Sequence, residues 1–383
     1  MKPRIKKGIG VLLGVMLAAV TCVGILPQMT LTAYAAGTGK NLQIGSAVLT
    51  PETSVSATSY DCDIKTRVTT AQRVYYGSNG TQRWLVIGYN GTGAVNAANT
   101  ATLFAFDNME TGKEYQAAGT SNSYVNSDIR KILIGESNEN GEGGYYRDKF
   151  DNVEKNVILG RTLSQGGYGN PTPPVFSFSD GISDSSNPVD KLWLLSTKEA
   201  DLLKHDYRDA SDSWWLRSPG APDAFAALAH SHVNYAGDPV DLNLGVRPAF
   251  NLNLQSIIFT SAAAGGKSSG AAGADALTSV ADYTGNDWKL TIADSARNGF
   301  SASRTDPDAL VPGGTAQISY SGALTGTNEY VSAIITDASD TVLYYGNIAS
   351  CAAASGTASI NIPAGAPSGC KLYVFQEKCN GNN

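Results

Sequence analysis

The sequence predicts an α+β domain followed by an all-β sandwich, joined by a flexible linker. Three observations carry this. Short helical patterns and short strands with turn residues between them mix up to about Leu254. An Ala/Gly/Ser-rich stretch from Ser261 to Ala281 then holds only two charged residues, Lys267 and Asp275. Beyond it, short apolar or alternating runs recur between Asp, Gly, Pro and Ser punctuation, as in a β-sandwich.

In chain order, the first element is a leader. Lys2, Arg4, Lys6 and Lys7 precede an apolar run from Ile9 to about Leu26, and Ala33-Tyr34-Ala35 offers small residues for a signal peptidase. This three-part pattern predicts a signal peptide over residues 1–35, cut before Ala36, and a secreted or cell-surface protein. An uncleaved anchor and a lipoprotein attached at Cys22 are the alternatives; the good cleavage site opposes the first, and Thr21 fits a lipobox poorly. Cleavage removes four basic and no acidic residues, leaving 24 Lys+Arg against 34 Asp+Glu. No basic run survives, which argues against nucleic-acid binding. With 41 glycines and only 16% charged residues, the chain reads as a β-rich extracellular protein.

Residues 36–70 are expected to be an extended lead-in, and residues 71–256 the first domain. Val74 to Tyr76, a turn at Gly77-Ser78-Asn79-Gly80 and Gln82 to Tyr89 predict a β-hairpin. Leu103 to Phe106 reads as a strand. Asn126 or Ser127 caps a helix whose Ile129, Ile132 and Leu133 share a face, and Gly135 ends it. Asp151 to Asn156 predicts a second short helix. Gly160 to Asp190 is a long Gly/Pro/Ser-rich loop. Lys191 to Leu195 reads as a buried strand, and Ser196-Thr197-Lys198-Glu199 as a capping box opening a helix to about Lys204. Trp214 to Leu254 reads as strands with intervening turns. Residues 257–281 are the linker, and residues 282–383 the sandwich, of the immunoglobulin-like kind, with a truncated C-terminus. After cleavage four cysteines remain, Cys62, Cys351, Cys370 and Cys379; the compartment permits a disulfide but no pairing follows from spacing, and no spacing suggests zinc.

Trp214-Trp215-Leu216-Arg217-Ser218-Pro219-Gly220, with Gly245-Val246-Arg247-Pro248-Ala249-Phe250-Asn251-Leu252, resembles the bacterial domain of unknown function DUF6273. Trp84-Leu85-Val86, Ser127 to Arg130, Phe150 to Ile158 and Asp190 to Ala200 follow in family order, so the resemblance spans about residues 70–262. It implies a C-type-lectin-like fold, related in pattern to formylglycine-generating enzymes and to variable proteins of diversity-generating retroelements. Val311 to Gly314 and Tyr344-Tyr345-Gly346 look like the β-sandwich that often follows this domain in secreted proteins of Gram-positive bacteria.

Within the paired phrases, Trp214, Trp215, Arg217, Gly220, Gly245, Arg247 and Pro248 read as a scaffold. Adjacent tryptophans on a strand face opposite sides, and a guanidinium fork suits the bracing of carbonyls. Between the phrases lies Ala221 to Leu244, which the resemblance makes the exposed ligand face. Asp223, Phe225, His230, His232, Asn234, Tyr235 and Asp238 supply stacking surface and hydrogen-bonding groups. The segment also lacks Lys, Glu, Gln, Met and Trp, the residues that mutated AAC-type codons cannot reach, as a diversified loop requires.

His230 and His232 share a strand face and could form half a metal site, but the third histidine, His205, assures no further ligand. Calcium-type sugar phrases are absent, and Asp223, Asp238 and Asp241 alone do not replace them. The relatives' thiol chemistry lacks its cysteines, and His205 with Asp201 and Asp206 reads as a charged helix end. The sequence therefore predicts no catalytic residue, no metal and no cofactor. It predicts a binding protein whose partner is a protein or carbohydrate at a cell surface, with no membrane span after cleavage and the oligomeric state open. A structural envelope or matrix protein is the alternative, and an enzyme of unrecognised chemistry a remoter one.

Overall fold

The computed structural model describes residues 30–33, 73–89, 92–93, 99–135, 144–163, 189–201, 203, 205–220, 224–230, 232–263, 272–280, 285–306 and 310–379. Strand dominates throughout. The longest helix among the described residues, Asp128–Ile134, has 7 residues. The expected α+β class, a lectin-like half followed by an all-β sandwich, is therefore corrected to a mostly β chain in both halves. The reason is tertiary. Predicted helices stop after one or two turns, as at Thr197–Asp201, while Phe225-Ala226-Ala227-Leu228-Ala229, rich in helix-favouring alanine, is drawn into a sheet.

The largest sheet has nine strands. Its path runs Trp193–Leu194, Pro248–Asn253, Thr100–Ala105, Arg83–Tyr89, Arg73–Tyr75, Asp287–Ile292 and Ile257–Ala262. Thr92–Gly93 and Ile158–Leu159 pair beside this path. The predicted hairpin is the fourth contact along this path: Arg73, Val74 and Tyr75 pair with Leu85, Trp84 and Arg83. Its turn takes positive φ at Gly77, Ser78 and Gly80. Helix Asp128–Ile134 is capped by Ser127, whose side chain accepts from the Arg130 amide. Helix Asn152–Val157 opens with a capping box made by Asp151 and Glu154. Ser196 and Glu199 form the reciprocal bonds of the other box, Glu199 N to Ser196 Oγ and Ser196 N to Glu199 Oε2.

A second sheet stacks Val233–Pro239, Phe225–Ala229, Trp214–Pro219, Leu244–Val246 and Glu110–Lys113 in that order. Trp214 and Trp215 are both fully buried, on opposite faces of their strand. Trp214 packs on Phe104 of the large sheet, and Trp215 on Tyr115 while donating to the Lys113 carbonyl.

The C-terminal residues build two further sheets around a core of Ile318, Val331, Ile335, Ile360 and Leu372. One holds Lys371–Lys378, Glu329–Thr336, Val342–Ser350 and Thr278–Ser279; the other holds Ser301–Arg304, Thr315–Ser321 and Gly356–Asn361. Of the expected signal peptide, only Thr30–Ala33 is described, as a strand parallel to Lys371–Val374. The expected linker begins with strand Ile257–Ala262, and Asp287–Ile292 of the expected sandwich belongs to the large sheet. Phe259 carries the packing across, with ring centroids 4.9 Å from Tyr345 and 5.8 Å from Phe375.

Cys351 and Cys370 are buried free thiols. Burial and the nearby Glu329 carboxylate push the Cys351 thiol up to about 11. Cys62, the lead-in at 36–70 and most of the predicted loop at 160–190 lie outside the described residues. No described helix is long and apolar enough to cross a membrane.

Candidate binding face

The segment between the paired phrases is a two-stranded hairpin on the edge of the second sheet. Phe225 pairs with Pro239, Ala226 with Asp238, Leu228 with Asn234 and Ala229 with Val233. The His230 amide donates to the His232 carbonyl and closes the tip. Small side chains make this possible, since Ala226, Ala227 and Ala229 are fully buried under the hairpin. Gly237 has a φ of +78°, and a Cβ there would stand 2.3 Å from the Ala226 carbonyl oxygen. A Cβ on Gly220 would stand 2.4 Å from the Ala236 carbonyl oxygen. Both positions admit only glycine.

The hairpin rests on a charged and braced base. Arg217 donates to both Glu199 oxygens, at 2.5 and 2.9 Å, and to the Leu194 carbonyl at 2.8 Å. Arg161 adds a third contact to Glu199 at 2.6 Å. Burial alone would raise the Glu199 carboxyl, but the Arg217 and Arg161 guanidiniums outweigh it and hold it at about 2. Arg247 braces four backbone carbonyls, those of Ala105, Phe106, Tyr207 and Arg208, at 2.7 to 3.0 Å. Its guanidinium lies 4.2 Å from the Phe104 ring centroid. Arg130 and Asp190 form a buried bidentate pair at 2.7 and 2.9 Å. Gly245 abuts the Asn108 side chain, and Pro248 starts the strand that pairs with Trp193–Leu194.

The predicted contact residues divide between two ends of the hairpin. Half-buried Phe225 and Asp238 sit at its base beside the exposed turn Asp241-Leu242-Asn243. His230 and exposed His232 sit at its tip, His230 Nδ1 lying 3.9 Å from Asp209 Oδ1. Asn234 lies between them and spends its side-chain oxygen on the Gly237 amide. Tyr235 turns inward, packing against the core with its hydroxyl on Asp201. Asp223 lies outside the described residues, as do the side chains of His205 and Asp206. No group of three or more potential metal ligands occurs among the described residues.

Two contributors were not legible in the sequence. Asn122 donates to the Phe225 carbonyl at 2.9 Å and so clamps the hairpin base from a turn about a hundred residues upstream. Leu242 is 42% exposed, one of the few large apolar side chains on the surface. The polar run Thr120-Ser121-Asn122 marks a turn, but nothing local says what it touches.

These features define a class: a β-sheet domain with an arginine-braced interior that displays one hairpin at a sheet edge. Residues 99–254 match the model of the family described as a domain of unknown function, DUF6273. The structure closes the matched span on itself, because the Leu254 amide donates to the Asn99 carbonyl at 3.0 Å and Asn253 pairs with Thr100. Neither the curated proteins nor the solved structures yield a match.

Proposed function

We propose that this is a secreted or surface-exposed binding protein whose hairpin, residues 225–239 with the turn at 241–243, engages a protein or glycan at a cell surface. The observation that carries the reading is the contrast across this segment. Its inner positions are fully buried small residues, while Phe225, His232, Asn234, Asp238 and Leu242 remain accessible on a base fixed by buried ion pairs and a braced arginine. Accessible aromatic and polar groups on a rigid support match the general requirements of a recognition surface. Secretion rests on the leader pattern. The same contrast limits where a diversified segment can vary.

The test is capture on arrays of glycans and of surface proteins. The double variant Phe225→Ala/His232→Ala is expected to lose at least about tenfold in apparent affinity, the equivalent of about 1.4 kcal/mol, with its melting temperature unchanged. Undiminished capture by a folded variant would place recognition elsewhere.

A further inference from the structure

The first described strand belongs to the expected leader, yet it is built into the C-terminal sheet. Thr30, Leu31, Thr32 and Ala33 pair in parallel with Lys371, Leu372, Tyr373 and Val374. The receiving strand is no loose edge. On its other side all of Lys371–Lys378 pairs with Glu329–Thr336, and Leu372, Tyr373 and Val374 are buried. Thr30–Ala33 also lies beside strand Ser301–Arg304, so it touches both C-terminal sheets.

This placement bears on how the leader is processed. Ala33 and Ala35 are the two small residues that mark the cut before Ala36. Ala33 is the register partner of Val374. A protease takes its substrate as an extended segment with free backbone groups, in the manner of an added strand. A segment already held in a sheet is cut only through its open state, at a rate scaled by the fraction open. The upstream run has a second unusual property. Ile9 to Leu26 is 18 residues without a charge. Removable leaders carry apolar runs of about 7–15 residues, whereas an uncharged run of about 18 or more is long enough to span a bilayer. Lys2, Arg4, Lys6 and Lys7 lie before it, and no charge lies between it and the strand. The positive-inside rule therefore puts the sheets on the outer side.

We propose that pairing with Lys371–Val374 withholds the cut site, so that the folded chain keeps its apolar run and stays tethered to the membrane. Cutting and folding compete for one stretch of backbone, and once the strand has docked the anchor is retained. Only Pro27-Gln28-Met29 separates the run from the strand, about 10 Å when extended. The C-terminal sheets then stand close to the bilayer, with the hairpin carried outside on the same chain. Tethering rests on the export part of the reading above, not on what the hairpin binds.

The test is intact mass and cell fractionation of the full chain, exported from a bacterial host. Wild type is expected to keep its N-terminus, to sediment with membranes until detergent is added, and to be digested by protease added outside protoplasts. Leu31→Pro/Thr32→Pro removes an amide donor whichever of the two faces Lys371–Val374, and leaves Ala33 and Ala35 in place. This variant is expected to lose the residues before Ala36 and to appear in the medium. Purified signal peptidase is expected to cut the folded wild-type precursor at least about tenfold more slowly than the variant, each rate taken relative to a peptide of its own residues 24–42. Wild type released with Ala36 as its first residue, or equal relative cutting of the two precursors, overturns the proposal and leaves the hairpin reading standing. A chain kept inside the cell overturns both export and tethering.

Discussion

Glu199 shows how much one residue can hold together. It closes a capping box, neutralises Arg217 and receives Arg161, all while buried. Its lowered carboxyl has a consequence for acid stability. A carboxyl held at about 2 in the folded chain and near 4.3 in the unfolded chain contributes stability that is complete above about pH 4.3. That contribution falls as pH drops toward 2. Urea unfolding should therefore show wild type losing stability across that window, with Glu199→Gln flatter there. At neutral pH, Glu199→Gln leaves the buried Arg217 charge without its partner, and a loss of about 3–5 kcal/mol is expected. A loss under about 1 kcal/mol would show that the network is replaceable. The capping half of this role was legible, because Ser196 and Glu199 are three residues apart. The ion-pair half was not, since Arg161 and Arg217 approach from distant strands.

At the scale of elements, local signals were read well and long-range pairing was not. Caps at Ser127 and Asp151 name their own helices because every partner lies within four residues. Hairpin 225–239 was legible as strands between turns but not in its pairing or its buried face, because that face is alanine and glycine, which leave no hydrophobic alternation to read. Its construction makes two predictions. Gly237→Ala would force a side chain into positive φ against the Ala226 carbonyl, and thermal denaturation should show a loss of at least about 1–3 kcal/mol. If natural populations vary this segment, sequencing should find substitutions at Phe225, His232, Ala236 and Asp241–Asn243. Ala226, Ala227, Ala229, Val233 and Gly237 should stay fixed. Variation spread evenly over both sets would contradict the buried-face assignment.

At the scale of the molecule, composition marks a linker near residues 261–281, yet residues before and after it are joined. Arg73 and Asp287 pair side chain to side chain at 2.6 and 2.8 Å across 214 residues. Their strands run parallel, a contact no local pattern announces. Phe259 then inserts between Tyr345 and Phe375 of the C-terminal sheet. This shared packing predicts one cooperative calorimetric transition rather than two. Phe259→Ala should cost about 3–5 kcal/mol and lower that single transition as a whole. Two separated transitions in wild type would mean that the halves unfold independently.

The most direct test of the central claim is one array experiment on two proteins: wild type and Phe225→Ala/His232→Ala. If the hairpin is the recognition surface, the hairpin variant loses capture of surface glycans or proteins at unchanged stability. Full capture by the folded hairpin variant would contradict it.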